Sequence, residues 1–330
     1  MNKKLCIISR HGGKTHSWRH MERPMEHIKR IIKKLLPKGL WPVIRRKLII
    51  IRHGIVARKL SPIVNSVISC NVPKIVFNRK QNLPENGKII WQYWAQGYDD
   101  QSVPELVNIC LKSVEKHTGD YMLIRLSDEN LSQYIELPSF IKENKQNIPI
   151  AQFSDFLRLL LLSIYGGVWL DACILLTGDL PNLLGDSDFF MYQRSDEEPF
   201  KEYWENSFAY YFGWHKGFRV NVLSGIMYAN PRSEVIRDLY HMVALCLKKF
   251  NKIPHYFFFH ILYDLYMEQF PSRNCPIAND CIPHMLRQVV NAEYPYKSVQ
   301  EILAITPVHS LNYKNPDAAI RLKEILGSVC

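Results

Sequence analysis

The chain has 330 residues, 47% of them hydrophobic, and a formal net charge of +11 at pH 7. This length and apolar content exclude a disordered protein and predict one large domain with an appendage. The eight cysteines form no Cys-x-x-Cys pair, which disfavours a disulfide framework and a structural zinc site and indicates a reducing compartment. The sequence shows no secretory signal and no run of the roughly 20 apolar residues that a membrane-spanning helix needs.

The charge is distributed unequally along the chain. Residues 1–80 carry 20 lysines and arginines against two acidic residues, a net charge of +18, whereas residues 81–330 carry 22 against 29, a net charge of −7. The sequence therefore predicts a basic N-terminal arm over residues 1–80 and a mildly acidic globular domain over residues 81–330. An asymmetry of this kind indicates an anionic partner for the arm, either a membrane or a nucleic acid.

Within the arm, apolar residues recur with the spacing of an amphipathic helix. The apolar residues at i, i+3, i+4, i+7 and i+8 are Ile28, Ile31, Ile32, Leu35 and Leu36. Basic residues lie on the other face of this predicted helix. A second basic and apolar run follows over residues 43–60. This composition suits the surface of an anionic bilayer, so we predict that residues 27–60 bind one. The alternative is a helix docked on the protein's own domain. Nucleic acid is disfavoured because aromatic residues do not alternate with the charges.

From residue 84 onward, predicted strands and helices alternate. Strands are expected at residues 88–94, 121–126, 168–171, 189–193 and 221–228, and helices at residues 105–117, 151–165 and 231–250. The aromatic run over residues 256–259 is expected to belong to a further, buried helix. The alternation predicts an α/β domain with a mostly parallel central sheet. In such sheets ligands bind beyond the carboxyl ends of the strands, and both Gln92 and Asp171 lie near such ends.

The apolar helix predicted over residues 151–165 carries an acid and a base one turn apart, Asp155 and Arg158. They could form a simple ion pair on a helix face. The helix is otherwise strongly apolar, however, and buried charges often mark a functional site. Asp171 ends the next strand, after a Gly-Gly break; taken alone, it could be a turn residue. The short distance along the chain between these three residues favours one common site.

A site for a nucleotide sugar needs three kinds of group, and this part of the chain holds candidates for each. A carboxylate such as Asp171 can hold a divalent cation on the diphosphate. Charged groups such as Asp155 and Arg158 can hydrogen-bond sugar hydroxyls. Trp91, Tyr93 or Trp94 can form a flat platform for the base, although each tryptophan taken singly is expected in the core.

Three segments combine these residues in a specific arrangement. They are Ile90-Trp91-Gln92-Tyr93-Trp94-Ala95-Gln96-Gly97, Ser154-Asp155-x-x-Arg158 and Tyr165-Gly166-Gly167-Val168-Trp169-Leu170-Asp171-Ala172. Together they resemble the capsular polysaccharide synthesis glycosyltransferases, a family of DxD-type sugar transferases. The resemblance implies a GT-A-like fold, a nucleotide-diphosphate sugar donor, expected to be a UDP-sugar, and retention of the anomeric configuration.

The resemblance also implies a role for individual residues by motif position. The implied catalytic residues are Asp155, Arg158 and Asp171. The implied donor-binding residues are Trp91, Gln92, Trp94, Ser154 and Gly167. A divalent cation, Mn²⁺ or Mg²⁺, would be bound by Asp171 and by His309 of the segment over residues 306–314, which is similar to a closing His-containing segment of the family. A plain surface histidine is the alternative for His309.

One departure from the family pattern concerns the second acid of the DxD motif, where this chain has Cys173. A thiol is a poor ligand for Mg²⁺ and a modest one for Mn²⁺, so strict metal dependence is in question. The literal Asp186-Ser187-Asp188 is not expected to be the motif, because no Gly-Gly break precedes it. The segment Arg52-His53-Gly54 resembles the phosphohistidine motif of histidine phosphatases, but the residues that follow do not fit.

The sequence thus predicts a cytoplasmic glycosyltransferase of bacterial surface polysaccharide synthesis, peripheral at the inner face of the cell membrane. It would transfer a hexose to a growing, lipid-linked glycan acceptor. The alternative, suggested by Cys173, is a catalytically degenerate transferase-fold protein that binds a glycan or acts as a scaffold.

Overall fold

The computed structural model describes residues 39–70, 79–85, 87–99, 103–291 and 294–327. The amphipathic helix predicted over residues 28–36 lies outside these ranges. The chain divides into two compact units, residues 1–45 and 46–330. In the first unit the described residues, 39–45, include the beginning of a helix. The elements described below otherwise belong to the second unit.

Strands and helices alternate along the chain, as predicted. The strands are β1 (Ile89–Tyr93), β2 (Met122–Leu126), β3 (Gly167–Leu170), β4 (Ile174–Leu176), β5 (Phe189–Gln193), β6 (Val222–Ala229) and β7 (Val308–Ser310). The helices are α1 (Leu40–Ile68), α2 (Glu105–Lys116), α3 (Ser139–Asn144), α4 (Ile150–Tyr165), α5 (Lys201–Ser207), α6 (Glu234–Lys249), α7 (Phe258–Gln269), α8 (Met285–Asn291), α9 (Val299–Ile305) and α10 (Ala318–Gly327). The elements predicted between residues 84 and 259 are found to within a few residues at their ends.

The central sheet has five strands in the order β2-β1-β3-β6-β5. Strand β1 runs parallel to both β2 and β3, with Trp91 opposite Ile124 on one side and Trp169 on the other. Strand β6 is antiparallel to its neighbours β3 and β5, so four of the five strands point the same way. The predicted α/β class with a mostly parallel central sheet is therefore confirmed.

The Gly-Gly break between α4 and β3 is required by close packing. Helix α4 is buried over nearly its whole length. Gly166 follows it with a φ of 70°, and a Cβ there would lie 2.6 Å from Pro231; at Gly167, with a φ of 100°, a Cβ would lie 2.5 Å from the carbonyl oxygen of Ile89. Only glycine combines these positive φ angles with such close contacts. The chain can therefore turn sharply and enter the sheet between β1 and β6.

After Asp171 the chain forms a second, smaller sheet that brings the C-terminal helices to the end of β3. Strand β4 pairs antiparallel with β7, and the backbone N–H of Leu311 donates to the carbonyl of Cys173 at 3.0 Å. Helix α8 packs against β7, and α10 packs against α8. The carboxyl end of β3 is thus close to residues that follow it by more than a hundred positions.

Helix α1 has two apolar faces. One face is buried and contributes Val56, Leu60 and Val64 to the same core as β1 and α4. Residues 46–68 therefore form a helix docked on the protein's own domain, which is the alternative that the sequence left open. The other face exposes Leu48, Ile51 and other apolar residues. Among the described helices, none is both long enough and apolar enough to cross a bilayer.

Candidate functional site

Asp155, Arg158 and Asp171 come together in the structure. The Nη1 atom of Arg158 donates to Oδ1 of Asp155 at 2.8 Å, and its Nη2 atom donates to Oδ1 of Asp171 at 3.0 Å. Nη2 also lies 3.3 Å from the hydroxyl oxygen of Ser154. One guanidinium thus joins the second turn of α4 to the carboxyl end of β3. We refer to these four residues as the carboxylate cluster.

Asp171 is held in a defined orientation by its neighbours. The indole Nε1 of Trp169 donates to Oδ1 of Asp171 at 2.7 Å, and the Trp169 ring centre lies 5.4 Å from the guanidinium carbon of Arg158. The backbone N–H of Asp171 donates to the carbonyl of Gly225 on β6 at 2.9 Å. A Cβ at position 225 would lie 2.9 Å from Oδ2 of Asp171. The position of this carboxylate therefore depends on a glycine in the neighbouring strand.

Exposure differs sharply within the cluster. The side chain of Arg158 is 4% exposed and that of Asp155 is 11% exposed, whereas Asp171 is 35% exposed. Burial raises the pKa of the Asp155 carboxyl to about 7; the Arg158 guanidinium opposes this rise and the Asp171 charge adds to it. The cluster therefore presents one partly exposed carboxylate, Asp171, supported by a buried acid and a buried base.

Arg158 faces the protein interior rather than an open cleft. Both Nη atoms point to carboxylates, and its Nε atom is buried with no hydrogen-bond partner among the described residues. The sequence-based expectation that Arg158 contacts the donor directly does not match this geometry. Arg158 instead fixes the distance between Asp155 and Asp171.

The two candidate tryptophans occupy different environments. Trp91 is fully buried in the centre of β1, and its Nε1 donates to the carbonyl of Gly166 at 2.9 Å, so it is a core residue rather than a platform for a base. Trp94 follows β1, packs in a cluster that includes Ala172, and lies with its ring centre 5.6 Å from that of Tyr313. Of these two candidates, Trp94 is therefore the one that packs near Ala172, the residue after Asp171.

Gln92 and Gly167 are not brought to the carboxylate cluster by any described contact. Gln92 is fully buried; its Oε1 accepts from Nε of Arg125 at 3.4 Å, and its Nε2 has no partner among the described residues. Gly167 lies at the amino end of β3, opposite the end that carries Asp171. The close approach to Ile89 gives Gly167 a role in the sheet rather than in binding a donor.

His309 likewise belongs to no group of metal-ligating side chains among the described residues. It is fully buried on β7, so the alternative of a plain surface histidine is wrong. Its Nε2 lies 3.1 Å from the hydroxyl oxygen of Thr177, and burial lowers its pKa to about 4. Its Nδ1 has no partner among the described residues.

The remaining donor atoms near Asp171 do not fit a tightly held divalent cation. Within the described ranges, no three His, Cys, Asp or Glu side chains lie close enough together to hold a metal ion. Oδ1 of Asp171 already accepts from Arg158 and Trp169. Burial raises the pKa of the Cys173 thiol to about 12, and a thiol is a poor ligand for Mg²⁺ and a modest one for Mn²⁺. The cation, with Asp171 and His309 as ligands, stays a prediction.

Two tyrosines that the sequence did not single out border the carboxylate cluster. Although 46% of Tyr256 is exposed, desolvation raises the pKa of its phenol to about 12, and the charges of Asp155 and Asp171 add to this rise. The prediction that this aromatic run lies in a buried helix is therefore confirmed for Phe258 and Phe259 and wrong for Tyr256. Burial likewise raises the pKa of Tyr313, to which the Asp171 charge contributes.

Arg287, on α8, is a further residue that the sequence did not indicate. It is half-buried, and burial lowers the pKa of its guanidinium. No hydrogen bond or ion pair joins it to another described residue. Its charge lowers the pKa of the Cys173 thiol against the larger effect of burial, so Arg287 lies near the end of β3.

Two grooves open on the surface of the described structure. The first, of about 460 Å³, lies where β2 ends and α4 begins; its lining includes Asp128, Lys145, Ile150 and Phe153. The second, of about 400 Å³, lies between α5 and α8; its lining includes Tyr203, Asn206, Phe208, Arg287 and Gln288. The first groove has the position expected of a ligand site in a largely parallel sheet. The second combines aromatic rings with amide groups and one cation.

The other candidate motifs have structural roles. His53 lies buried inside α1, where its Nδ1 accepts from the backbone N–H of Arg219 at 3.2 Å, so it is not placed as a phosphatase nucleophile. Oδ2 of Asp188 accepts from the hydroxyl of Ser233, the residue that caps the amino end of α6, at 2.6 Å. Neither motif contacts the carboxylate cluster in the described structure.

Comparisons with known proteins identify a family. The family model described as "Capsular polysaccharide synthesis protein" matches residues 44–327. Among solved structures, the chain is similar to the "PaToxG Glycosyltransferase" with a TM-score of 0.33 and 11% sequence identity, over 86% of this chain and 89% of that chain. At this TM-score the likeness establishes neither a shared fold nor a shared activity. None of the curated protein sequences matches the chain significantly.

Proposed function

The chain belongs to the capsular polysaccharide synthesis protein family, and on that premise we propose that it is a glycosyltransferase. It moves a hexose from a nucleotide-diphosphate sugar, a UDP-sugar in our proposal, to a growing capsular or other surface polysaccharide. The observation that carries this proposal is the carboxylate cluster, in which a buried acid and base support one partly exposed carboxylate at the carboxyl end of a central strand.

In this proposal Asp171 contacts the donor sugar, and Asp155 assists from behind it. Asp171 can accept hydrogen bonds from sugar hydroxyls through Oδ2, because Oδ1 is already occupied by Arg158 and Trp169. Arg158 is a positioning residue, which acts through the two carboxylates that it holds. We propose that Asp171 holds the sugar hydroxyls and does not attack the anomeric carbon, and that the acceptor hydroxyl attacks on the same face from which the diphosphate leaves, with retention of configuration.

We propose that the donor nucleoside binds in the 460 Å³ groove. This groove adjoins the ends of β1 and β2, beside the first turn of α4, and α4 also carries Asp155. Asp128 is fixed there by the Tyr93 hydroxyl at 2.5 Å and by Lys145 at 2.5 Å. A carboxylate held in this way can accept hydrogen bonds from a ribose, and the ring of Phe153 offers an apolar surface to a base.

We propose that the acceptor glycan binds in the 400 Å³ groove. Sugars combine apolar ring faces with many hydroxyl groups, and aromatic rings beside amide side chains satisfy both. Tyr203 and Phe208 supply rings, and Asn206 and Gln288 supply amides. Arg287 contributes to this groove and lies near the end of β3, so an acceptor in the groove would be close to a sugar at Asp171.

We propose that the exposed face of α1 binds an anionic bilayer at the cytoplasmic side of the cell membrane. Leu48, Ile51 and Ile55 recur along this face with helical spacing, and Lys47 and Arg58 lie exposed beside them. A helix with apolar residues between lysines and arginines inserts its apolar side chains among lipid headgroups. This placement would bring the enzyme close to a lipid-linked acceptor.

A matched pair of variants tests the membrane proposal. Ile51 on α1 and Ile320 on α10 are 59% and 58% exposed, so aspartate at either position costs little folding stability. We expect Ile51→Asp to abolish co-sedimentation with vesicles that contain phosphatidylserine, while Ile320→Asp sediments as the wild type does. Equal sedimentation of both variants would contradict the proposed surface.

The proposed activity is tested by nucleotide release from a panel of nucleotide sugars. We expect the intact chain to release nucleoside diphosphate from one donor class, and we expect ¹H NMR to show that the released sugar first appears with the anomeric configuration of the donor. The opposite anomer would contradict retention alone. Neither release nor binding of any donor, measured by thermal shift, would favour the degenerate scaffold instead.

A further inference from the structure

Arg287 is a half-buried cation with no compensating charge among the described residues. Taking a guanidinium out of water is costly unless a carboxylate or other acceptor compensates it. Other buried arginines in the structure follow this rule: Arg158 binds Asp155 and Asp171, and Arg194 binds both oxygens of Asp280 at 2.8 and 2.9 Å. Arg287, by contrast, is paired with no carboxylate among the described residues. A cation kept in this state is suited to bind an anionic ligand.

The fold places Arg287 at the edge of the carboxylate cluster. Helix α8 packs against β7, and the segment after β7 is tied to Cys173 by the hydrogen bond from Leu311. The charge of Arg287 also acts on the phenol of Tyr256, which in turn is affected by the charges of Asp155 and Asp171. Arg287 is half-buried and lines the 400 Å³ groove proposed for the acceptor, on the side that lies near the end of β3, so part of its side chain can reach a donor phosphate where acceptor and donor meet.

We propose that Arg287 binds the diphosphate of the sugar donor and neutralises its charge during transfer. This inference rests on the proposed function. Position 173, where a second acid would help to hold a divalent cation, carries a thiol, which is a poor ligand for Mg²⁺. Helix α8, which carries Arg287, packs against β7, whose following residue is hydrogen-bonded to Cys173. In a transferase that has both acids of the DxD motif, a bound cation supplies positive charge to the diphosphate. In this chain the guanidinium of Arg287 would supply part of that charge.

The chemistry of the transfer suits this role. The bond between the anomeric carbon and the β-phosphate oxygen breaks, and its electron pair stays on that oxygen. The acceptor hydroxyl oxygen forms the new bond to the anomeric carbon, and its proton passes to the leaving diphosphate. Negative charge therefore grows on the β-phosphate as the bond breaks, and the forked donors of an arginine bind two phosphate oxygens at once. In a partly desolvated groove this interaction is stronger than in water.

The test compares diphosphate binding to Arg287 variants in the presence of EDTA. The probes are inorganic pyrophosphate, which has no base, UDP and uridine, measured by isothermal titration calorimetry with the intact chain. We expect Arg287→Met to weaken binding of pyrophosphate and UDP by roughly tenfold or more, the loss typical of a charged hydrogen-bonded contact. Uridine binding should not change. Arg287→Lys should restore part of the affinity, because it restores the charge without the fork.

Arg321→Met is the matched control, since Arg321 is an exposed arginine of α10 that lines neither groove. It should bind pyrophosphate as the wild type does. Arg287→Met removes no ion pair within the described structure, so its thermal midpoint should not fall. Unchanged pyrophosphate affinity in Arg287→Met, in a chain that still releases nucleotide from a donor, would overturn the inference and leave the proposed function standing. A wild type that binds neither pyrophosphate nor any nucleotide sugar would overturn both. Unchanged pyrophosphate affinity with weakened binding of glucuronate would assign Arg287 to an acidic acceptor and overturn the inference.

Discussion

Replacing Arg158 by methionine should destabilise the protein in a pH-dependent way. Arg158 is the cation that joins Asp155 to Asp171, and all three lie where the second and third turns of the buried helix α4 meet the carboxyl end of β3. Removing one partner of a buried ion pair leaves an uncompensated charge and typically costs about 3–5 kcal/mol. Asp155 can limit that cost by taking up a proton, so the size of the effect depends on pH.

The sign follows from the pKa of Asp155 in the two states. Burial raises it in the folded protein to about 7, whereas an unfolded aspartate titrates near 3.9. Between these values the folded state holds a proton that the unfolded state has lost, so stability falls as the pH rises, and in the wild type the fall ends near pH 7. Without Arg158, burial and the Asp171 charge act unopposed and raise the pKa further. In the variant the fall therefore continues above pH 7.

The magnitude can be estimated from this difference. One pH unit across which only one state is protonated changes the free energy of unfolding by about 1.4 kcal/mol. Between pH 7 and about pH 8.5, the stability gap between wild type and Arg158→Met should therefore widen by about 2 kcal/mol. Urea denaturation followed by tryptophan fluorescence, at about pH 6, 7 and 8.5, measures the gap.

The double variant Asp155→Asn/Arg158→Met is the control, because it has no buried carboxyl at position 155 to titrate. Its stability relative to the single variant Asp155→Asn should change little between pH 7 and about pH 8.5. A gap of constant size for Arg158→Met over the same range would refute the reasoning that Asp155 is a buried acid whose charge depends on Arg158.

Three further predictions follow from the same geometry. Gly225→Ala should lower the rate of nucleotide release by roughly tenfold or more, as a small misplacement of a catalytic group does, because its Cβ would displace Oδ2 of Asp171; steady-state kinetics would count against this if kcat were unchanged. Gly167→Ala should lower the free energy of unfolding by about 2–4 kcal/mol, because position 167 has a positive φ and a Cβ there would meet the carbonyl of Ile89. The folded fraction should keep its donor affinity, which denaturation and donor titration measure separately. Lost donor affinity in folded protein would restore a binding role for Gly167. Treatment with EDTA should reduce nucleotide release by less than about tenfold, because the described donor atoms do not fit a tightly held cation; complete loss that Mn²⁺ restores would show that the cation is required.

The convergence of Asp155, Arg158 and Asp171 could be predicted because each step is local. Helical periodicity places Asp155 and Arg158 one turn apart. The Gly-Gly break returns the chain directly into a strand that ends at Asp171, so few residues separate the helix from the end of β3. Such short connections leave little freedom for the three side chains to separate.

The remaining site residues could not be predicted, because their surroundings come from distant parts of the chain. Trp91 and Trp94 are both large and aromatic, and only the extent of β1 shows that the first lies in the sheet and the second beyond it. His309 looks like a ligand in sequence, but strand pairing between β4 and β7 buries it beside Thr177. Arg287 has no local signal at all, since its relation to Cys173 depends on the packing of α8 against β7.

The basic segment before residue 80 illustrates a related limit. The run over residues 43–60 is predicted either to bind a bilayer or to dock on the domain, and α1 has one apolar face in the core and another that is exposed. Helical periodicity shows where apolar residues lie on a helix, not how many partners they will meet. The core face of α1 became recognisable only from its packing beside β1 and α4.

The most direct test of the central claim compares nucleotide release by the wild type and by Asp171→Asn with the donor that the panel identifies. Asparagine keeps an oxygen that can accept from Arg158 and Trp169, so the fold should be retained, with a thermal midpoint close to that of the wild type. If Asp171 contacts the reacting sugar, release should fall by at least about a hundredfold, as expected when a group that acts in the transition state is lost. Release at the wild-type rate from a folded Asp171→Asn would contradict the assignment of the carboxylate cluster as the donor site.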